Sequence, residues 1–239
     1  MKALILAAGL GNRLGELTKE LPKAMVRVAD RELILHVLNF LNHPQITGIG
    51  VVTGYRAEGL ASFLKNHDKN IEIFHNPDFR QGSIRSLEAA IPFLDDDFLL
   101  LNVDHIYPKR MLPVITSQSK GITAICDFDR RLGSDDMKVK LNSDGFLIRI
   151  MKTLADYDCG YIGMTRCDFA HVEQYVSAIR ATREIYGDDA PAEWVLGHLA
   201  ANGKKISICD ASGLGWYEVD TQEDLMNTEK KLGELRIED

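Results

Sequence analysis

Near the head of the chain a wholly apolar run, residues 3–7, breaks into a glycine-rich loop, Gly9-Leu10-Gly11-Asn12-Arg13-Leu14-Gly15. A run with no polar face predicts a strand buried on both sides, and such a strand needs helices above and below it. The sequence supplies them in alternation. Apolar residues fall at helical spacing over 33–41, 57–64 and 83–93, and strand-like runs occupy 49–53, 71–74 and 98–103. Strands alternating with helices imply a Rossmann-like α/β fold, a mostly parallel mixed sheet flanked by helices.

The second half changes character. Residues 122–128, 137–141 and 146–151 are strand-like, and the last two flank Asn142-Ser143-Asp144-Gly145, whose Asp-Gly favours a tight hairpin. A strand is expected near 161–164, helices over 168–183 and 192–201, a strand at 205–209, and an amphipathic helix over 221–232. Thr221 with Asp224 three residues on gives that last helix a capping box. With no repeat or linker in view, the expectation is one domain over 1–239 with a small inserted β-rich lobe around 120–165.

Composition narrows the function. A net charge of −7 argues against a nucleic-acid polymer as partner, because such partners need a basic footprint. A nucleotide monomer needs only a few local cations. Cys126, Cys159, Cys167 and Cys209 form no C-x-x-C pair, which fits reduced, buried thiols in a cytoplasmic protein. No signal peptide is evident at the N-terminus, and no apolar stretch approaches a membrane span.

The glycine loop begins where the first strand ends, so its backbone N–H groups can form an anion-binding concavity, with Arg13 and Lys23 to neutralise phosphates. It is no P-loop, because Lys23 follows Pro22 and precedes Ala24. A dinucleotide fold would need a different glycine spacing, and Gly15 and Pro22 interrupt any helix there.

Leu6-Ala7-Ala8-Gly9-Leu10-Gly11-Asn12-Arg13 followed by Pro22-Lys23 resembles the signature of the sugar-phosphate nucleotidyltransferase superfamily. Leu101-Asn102-Val103-Asp104-His105-Ile106-Tyr107 resembles that family's strand-end metal aspartate. Trp216-Tyr217-Glu218-Val219-Asp220-Thr221-Gln222-Glu223-Asp224 resembles its C-terminal acidic block, in the form found in cytidylyltransferases of the CTP:inositol-1-phosphate and CTP:phosphocholine types. The resemblance implies a nucleotide-diphospho-sugar transferase fold, CTP as the nucleotide and inositol-1-phosphate as the acceptor. Phosphocholine, an aminoalkylphosphonate or a hexose-1-phosphate stand as alternative acceptors, and a non-catalytic regulatory relative as the alternative of another class.

The site expected on this basis has four parts. Leu6, Ala7, Ala8, Gly9, Gly11, Asn12, Arg13, Lys23, Asn76, Gly82, Ser86 and Asn102 would bind nucleotide, although Gly82-Ser83-Ile84-Arg85-Ser86 departs from the aromatic-containing form of its segment. Arg13 and Lys23 would also be catalytic, Arg13 forking onto the leaving pyrophosphate and Lys23 acting as a point charge at the α-phosphate. Asp104 and Asp220 would bind magnesium, which favours one or two carboxylates plus phosphate oxygens, with Glu218 as third ligand or outer partner. Lys152 and Asp158 would contact the acceptor. His105 is expected to support or pack rather than ligate, and Trp194 and Trp216 to be core aromatics.

Overall fold

The computed structural model describes residues 1–238; Asp239, the last residue of the expected domain, lies outside the described residues. The first half runs β1 (Lys2–Leu6), β2 (Arg27–Val28), β3 (Arg31–Glu32), α1 (Leu33–Leu41), β4 (Gly48–Thr53), α2 (Ala57–His67) and β5 (Glu72–His75). It continues with α3 (Ile84–Ala89), β6 (Phe98–Asn102), β7 (His105–Ile106) and α4 (Met111–Gln118). The second half holds β8 (Ile122–Asp127), β9 (Lys138–Leu141), β10 (Leu147–Met151), β11 (Cys159–Cys167) and α5 (Val172–Tyr186). It ends with α6 (Trp194–Ala201), β12 (Ile206–Asp210), β13 (Tyr217–Glu218) and α7 (Gln222–Glu238).

The described residues build one nine-stranded sheet. β5, β4, β1 and β6 pair in parallel in that spatial order. β11 runs antiparallel to β6, β8 and β9, while β12 pairs β8 in parallel and β10 folds back on β9. Only β11 and β10 therefore run against the other seven strands. Residues 120–165, expected as an inserted lobe, contribute β8, β9, β10 and most of β11, all hydrogen-bonded into this same sheet, with the β9–β10 hairpin hung on the start of β11.

Both faces of the central strands are apolar, as the buried run of β1 requires. Leu4, Leu6 and Ala8 join the core under α3, α5 and α6, while Ala3, Ile5 and Ala7 join the core under α1, α2 and α4. A third, smaller core gathers Leu14, Val26, Val28, Leu33, Ile106 and Val219 beneath α7. All four cysteines are free and buried, as expected. No helix of the described residues is long and apolar enough to cross a membrane.

Some elements depart from expectation for local reasons. The helix expected over 83–93 stops at Ala89 and resumes as a 3-10 turn at Ile91–Phe93, because Pro92 has no N–H to give the Glu88 carbonyl and its ring crowds that carbonyl. Helix α4 has no counterpart among the helical runs of the sequence. Its Pro113, Thr116 and Ser117 are poor helix formers, and burial of Met111, Leu112 and Ile115 is what holds it. The β2–β3 hairpin turns on Ala29 and Asp30, both at positive φ, the geometry of a type I′ turn.

The start of α7 follows the sequence closely. Asp224 Oδ2 accepts from the Thr221 backbone N–H at 2.8 Å, and Thr221 Oγ1 accepts from Asp224 N–H at 3.1 Å. The capping box is thus closed in both directions, and it locks the residue just before it, Asp220. Thr221→Ala should lower the free energy of urea unfolding by about 0.5–2 kcal/mol. An unchanged midpoint would show that water replaces the hydroxyl at no cost.

Candidate active site

β1, β4, β5 and β6 all point the same way, so the loops after them gather at one sheet edge, where α/β folds place their ligand-binding groups. The loop after β1 turns through Gly11, whose φ of +68° and whose contact with the Lys23 and Thr18 side chains leave no room for a Cβ. Thr18 Oγ1 closes the loop by donating to the Gly11 carbonyl at 2.9 Å. Ala7 and Ala8 are buried, and Asn12 is exposed at the start of the next turn.

Three segments distant in sequence meet at Lys23. Its Nζ donates to Asp104 Oδ2 at 2.7 Å and to Asp220 Oδ1. Asp104 stands two residues beyond β6, and Asp220 is fixed by the α7 cap. Arg13 Nη2 lies 2.6 Å from Asp220 Oδ2, and its Nη1 bonds Asp135. Asp135 in turn lies 3.7 Å from Lys152 Nζ. The result is a chain of alternating charge, Lys152–Asp135–Arg13–Asp220–Lys23–Asp104.

Electrostatics follow from this packing. Burial works to pull the Lys23 ammonium pKa down, but the fields and hydrogen bonds of Asp104 and Asp220 outweigh it and leave it raised. Burial likewise works to raise Asp104, and Lys23 and His105 overcome it, holding the carboxyl far below the usual range. Glu218 goes the other way: burial, then Asp104 and Asp220, raise it against the pull of His105 and Arg130.

The expected residues do not all converge. Asp104 and Asp220 meet, whereas Glu218 stands across from His105 in the β7–β13 pair and faces Arg130 at 3.6 Å. Among the described residues, no group of three or more His, Cys, Asp or Glu side chains is placed to hold a metal. Asp158 is tied to the β9 strand, accepting from the Leu141 N–H at 2.7 Å and lying 3.3 Å from Lys140 Nζ. Asn102 donates to Glu193 at 3.3 Å.

Asn76 and Ser86 are buried and bonded to each other at 3.0 Å. Gly82 is pressed against the backbone of residues 188–190, its N–H donating to the Asp188 carbonyl at 2.9 Å. Trp194 packs edge-on against Tyr186, while Trp216 lies beside the site itself, stacked on His105. Asp135 and Arg130 carry no signal in the sequence pattern. They sit in a β8–β9 loop without periodicity, and only the fold brings them to partners such as Arg13.

Against known proteins, the sequence pattern of the MobA-like NTP transferase domain matches residues 3–129. The bifunctional IPC transferase and DIPP synthase of Rubrobacter xylanophilus is 30% identical over 236 residues, covering 96% of this chain and 51% of that protein. The chain thus spans about half the length of that relative. The choline-phosphate cytidylyltransferase of Haemophilus influenzae is 27% identical, covering 82% of this chain and 84% of that one. The solved inositol-1-phosphate CTP transferase of T. maritima superposes with a TM-score of 0.79 at 22% identity, covering 96% of both chains. At that identity the likeness is one of fold.

The close approach at Gly82 separates packing from ligand contact. A Cβ there would lie 2.2 Å from the Ala190 carbonyl oxygen, and backbone cannot yield cheaply. Gly82→Ala should cost about 1–3 kcal/mol in urea unfolding with no nucleotide present. A loss of nucleotide affinity at unchanged stability would instead make Gly82 a contact residue only.

Proposed function

The chain belongs to the MobA-like NTP transferase domain family, and from that premise we propose that it is a cytidylyltransferase. It joins CTP to a phosphorylated small molecule, inositol-1-phosphate by preference, to give a CDP-activated head group and pyrophosphate. The observation that carries this reading is the meeting of Asp104 and Asp220 on one buried lysine, Lys23, with Arg13 alongside, at the carboxyl edge of a parallel sheet.

Nucleotidyl transfer is an in-line displacement: an acceptor phosphate oxygen bonds the α-phosphorus while the bond to the β-phosphate oxygen breaks, and pyrophosphate leaves with that electron pair. The acceptor is already anionic near neutral pH, so no general base is needed. The protein's task is charge and alignment. The loop from Leu6 to Asn12 would cradle the phosphates with backbone N–H groups, with Gly9 and Gly11 letting them approach. Arg13 would turn from Asp135 to the β and γ phosphates. Lys23, held by two acids, would sit between the α-phosphate and the attacking oxygen.

The base would lie along the segment from Asn76 to Ser86. Asn76 and Ser86 are bonded to each other and Gly82 is pressed on backbone, so recognition by these three would come from their backbone groups, and Asn102 would contribute from the end of β6.

Magnesium is the cofactor this donor set fits. Asp104 and Asp220 are hard oxygen donors, and Asp104 stays ionised, which suits a cation completed by phosphate oxygens and water. Bound there, the ion would neutralise phosphate charge and polarise the α-phosphoryl group. Glu218, turned toward Arg130, would act outside that shell.

On the acceptor side, Lys152 is held by one acid, Asp135, and a phosphate could replace it. The polyol acceptor is favoured over a choline head group because a choline needs open aromatic faces. Tyr161 packs against the hydrophobic core, and Lys138 lies over the Tyr157 ring, 5.8 Å from its centroid. Names of relatives support both classes, the IPC transferase of R. xylanophilus and the choline-phosphate cytidylyltransferase of H. influenzae.

The test is pyrophosphate release with magnesium, crossing four nucleoside triphosphates against inositol-1-phosphate, phosphocholine, 2-aminoethylphosphonate and glucose-1-phosphate. Release should appear with CTP and inositol-1-phosphate and vanish in Asp104→Ala. Silence across the grid from folded protein would sink the reading and favour a regulatory relative. Lys23→Met should lower kcat by about 10²-fold or more. Lys152→Met should raise the acceptor KM and leave the CTP KM near its starting value; equal effects on both would take Lys152 out of the acceptor pocket.

A further inference from the structure

His105 follows the metal-binding aspartate of the proposed site and is almost fully buried, yet its imidazole is neither packed at random nor free to turn. Its Nδ1 lies 2.7 Å from Asp104 Oδ1. The Asp104 carboxylate already takes the Lys23 ammonium on Oδ2, so it accepts on Oδ1 as well, and Nδ1 carries the proton and donates. Asp104 is therefore held from both sides, Oδ1 by His105 and Oδ2 by Lys23.

The ring itself is clamped. Trp216 stacks on it with centroids 5.5 Å apart and planes 15° from parallel, and Tyr107 lies at 5.6 Å and 18°. The stack is anchored at both ends. Tyr107 Oη donates to the Ile162 carbonyl at 2.7 Å and packs on Phe40 in the core. Trp216 Nε1 donates to Asp127 at 2.7 Å, and the Arg130 guanidinium lies 4.5 Å from the Trp216 ring centroid. The imidazole edge meets Gly163 so closely that a Cβ there would come within 2.7 Å of it.

Trp216 opens the segment that carries Glu218 and Asp220, and His105 opens the one that follows Asp104. β7 pairs with β13 so that His105 stands opposite Glu218, and the Val219 N–H donates to the Asp104 carbonyl at 2.9 Å. The stack therefore ties together the two chain segments from which the two carboxylates come.

We infer that His105 is a positioning residue: through its Nδ1 donor and its place between Trp216 and Tyr107 it fixes the Asp104 carboxylate, and the spacing of Asp104 from Asp220, for the divalent cation. This rests on the metal-dependent reading above. Partners that orient a metal ligand typically hold 10–100-fold in metal affinity.

Two substitutions separate the donor from the stack. His105→Phe keeps a flat ring and removes the donor. His105→Asn loses the stack and places an N–H where Nδ1 stands. The readout is Mn2+ binding by electron paramagnetic resonance, with CTP present and no acceptor, so that no turnover is involved. The Phe variant should bind Mn2+ at least about tenfold more weakly than wild type, and the Asn variant should recover most of that loss despite a lower melting temperature.

Wild-type affinity in the Phe variant would overturn the inference while leaving the cytidylyltransferase reading intact. So would an Asn variant as weak as the Phe variant, because a donor put back at the Nδ1 position would then restore nothing. Absence of Mn2+ binding in the wild-type chain with CTP would remove the metal-dependent reading and this inference with it. If the Phe variant gives no cooperative melt, His105→Leu carries the same comparison with Asn.

Discussion

Everything at the candidate site depends on Lys23 being buried without being alone. An ammonium taken out of water costs several kcal/mol unless its charge is met at close range. Here two carboxylates meet it, one from the end of β6 and one from the turn before α7. Their own burial would be unfavourable without the lysine. Three segments from positions 23, 104 and 220 are thereby obliged to come together, and the small core of Leu14, Val26, Ile106 and Val219 packs directly around that meeting point. Such a cluster adds little net stability, but pulling any one segment away would leave a buried charge unmet.

Much of this is visible in the sequence, for a physical reason. Buried strands and amphipathic helices write themselves as periodicity, so the alternation of the first half was legible to within a few residues, and α1 was legible to its ends. Glycines mark tight backbone, and a Thr-x-x-Asp pair marks the start of α7. Asp104 and Asp220 could be picked out because each stands at the boundary of such an element, and Lys23 because it follows Pro22 downstream of the glycine loop. Asp135 and Arg130 could not. They occupy a loop whose residues follow no period, and their partners, Arg13 and Trp216, are 122 and 86 residues away by the numbering. Nor could sequence reveal that Asn76 and Ser86 bond each other and that Gly82 is pressed on backbone, since a buried Asn–Ser pair reads the same as a pair awaiting a ligand.

The position of β11 explains why the site can draw on both halves of the chain. β11 runs against its neighbours, so it begins at the same edge where β1, β4, β5 and β6 end. Its first residues pair with β9, and the hairpin and the loop before it are therefore delivered to that edge too. A wholly parallel sheet would have needed another crossover to bring Lys152 and Asp135 within reach of Arg13. One reversed strand achieves it with a hairpin.

The alternating chain from Lys152 to Asp104 also bears on how an anionic substrate would be received. Every cation in it already has a carboxylate partner, so a phosphate does not meet a bare charge; it exchanges with an acid. The gain on binding is then the difference between two ion pairs rather than the whole of one, and it is smaller where the displaced acid is more deeply held. Asp135 is 68% exposed and Asp220 is 16% exposed, so the first is the easier to displace. Solvent screens an exposed pair to within about 1 kcal/mol, whereas a buried one persists. On the proposed reading, phosphate enters where Arg13 and Lys152 share Asp135, before anything reaches Lys23 and its two acids. The part of the site that must stay rigid for the chemistry is thus the buried part, and the part that must yield to substrate is the part water already reaches.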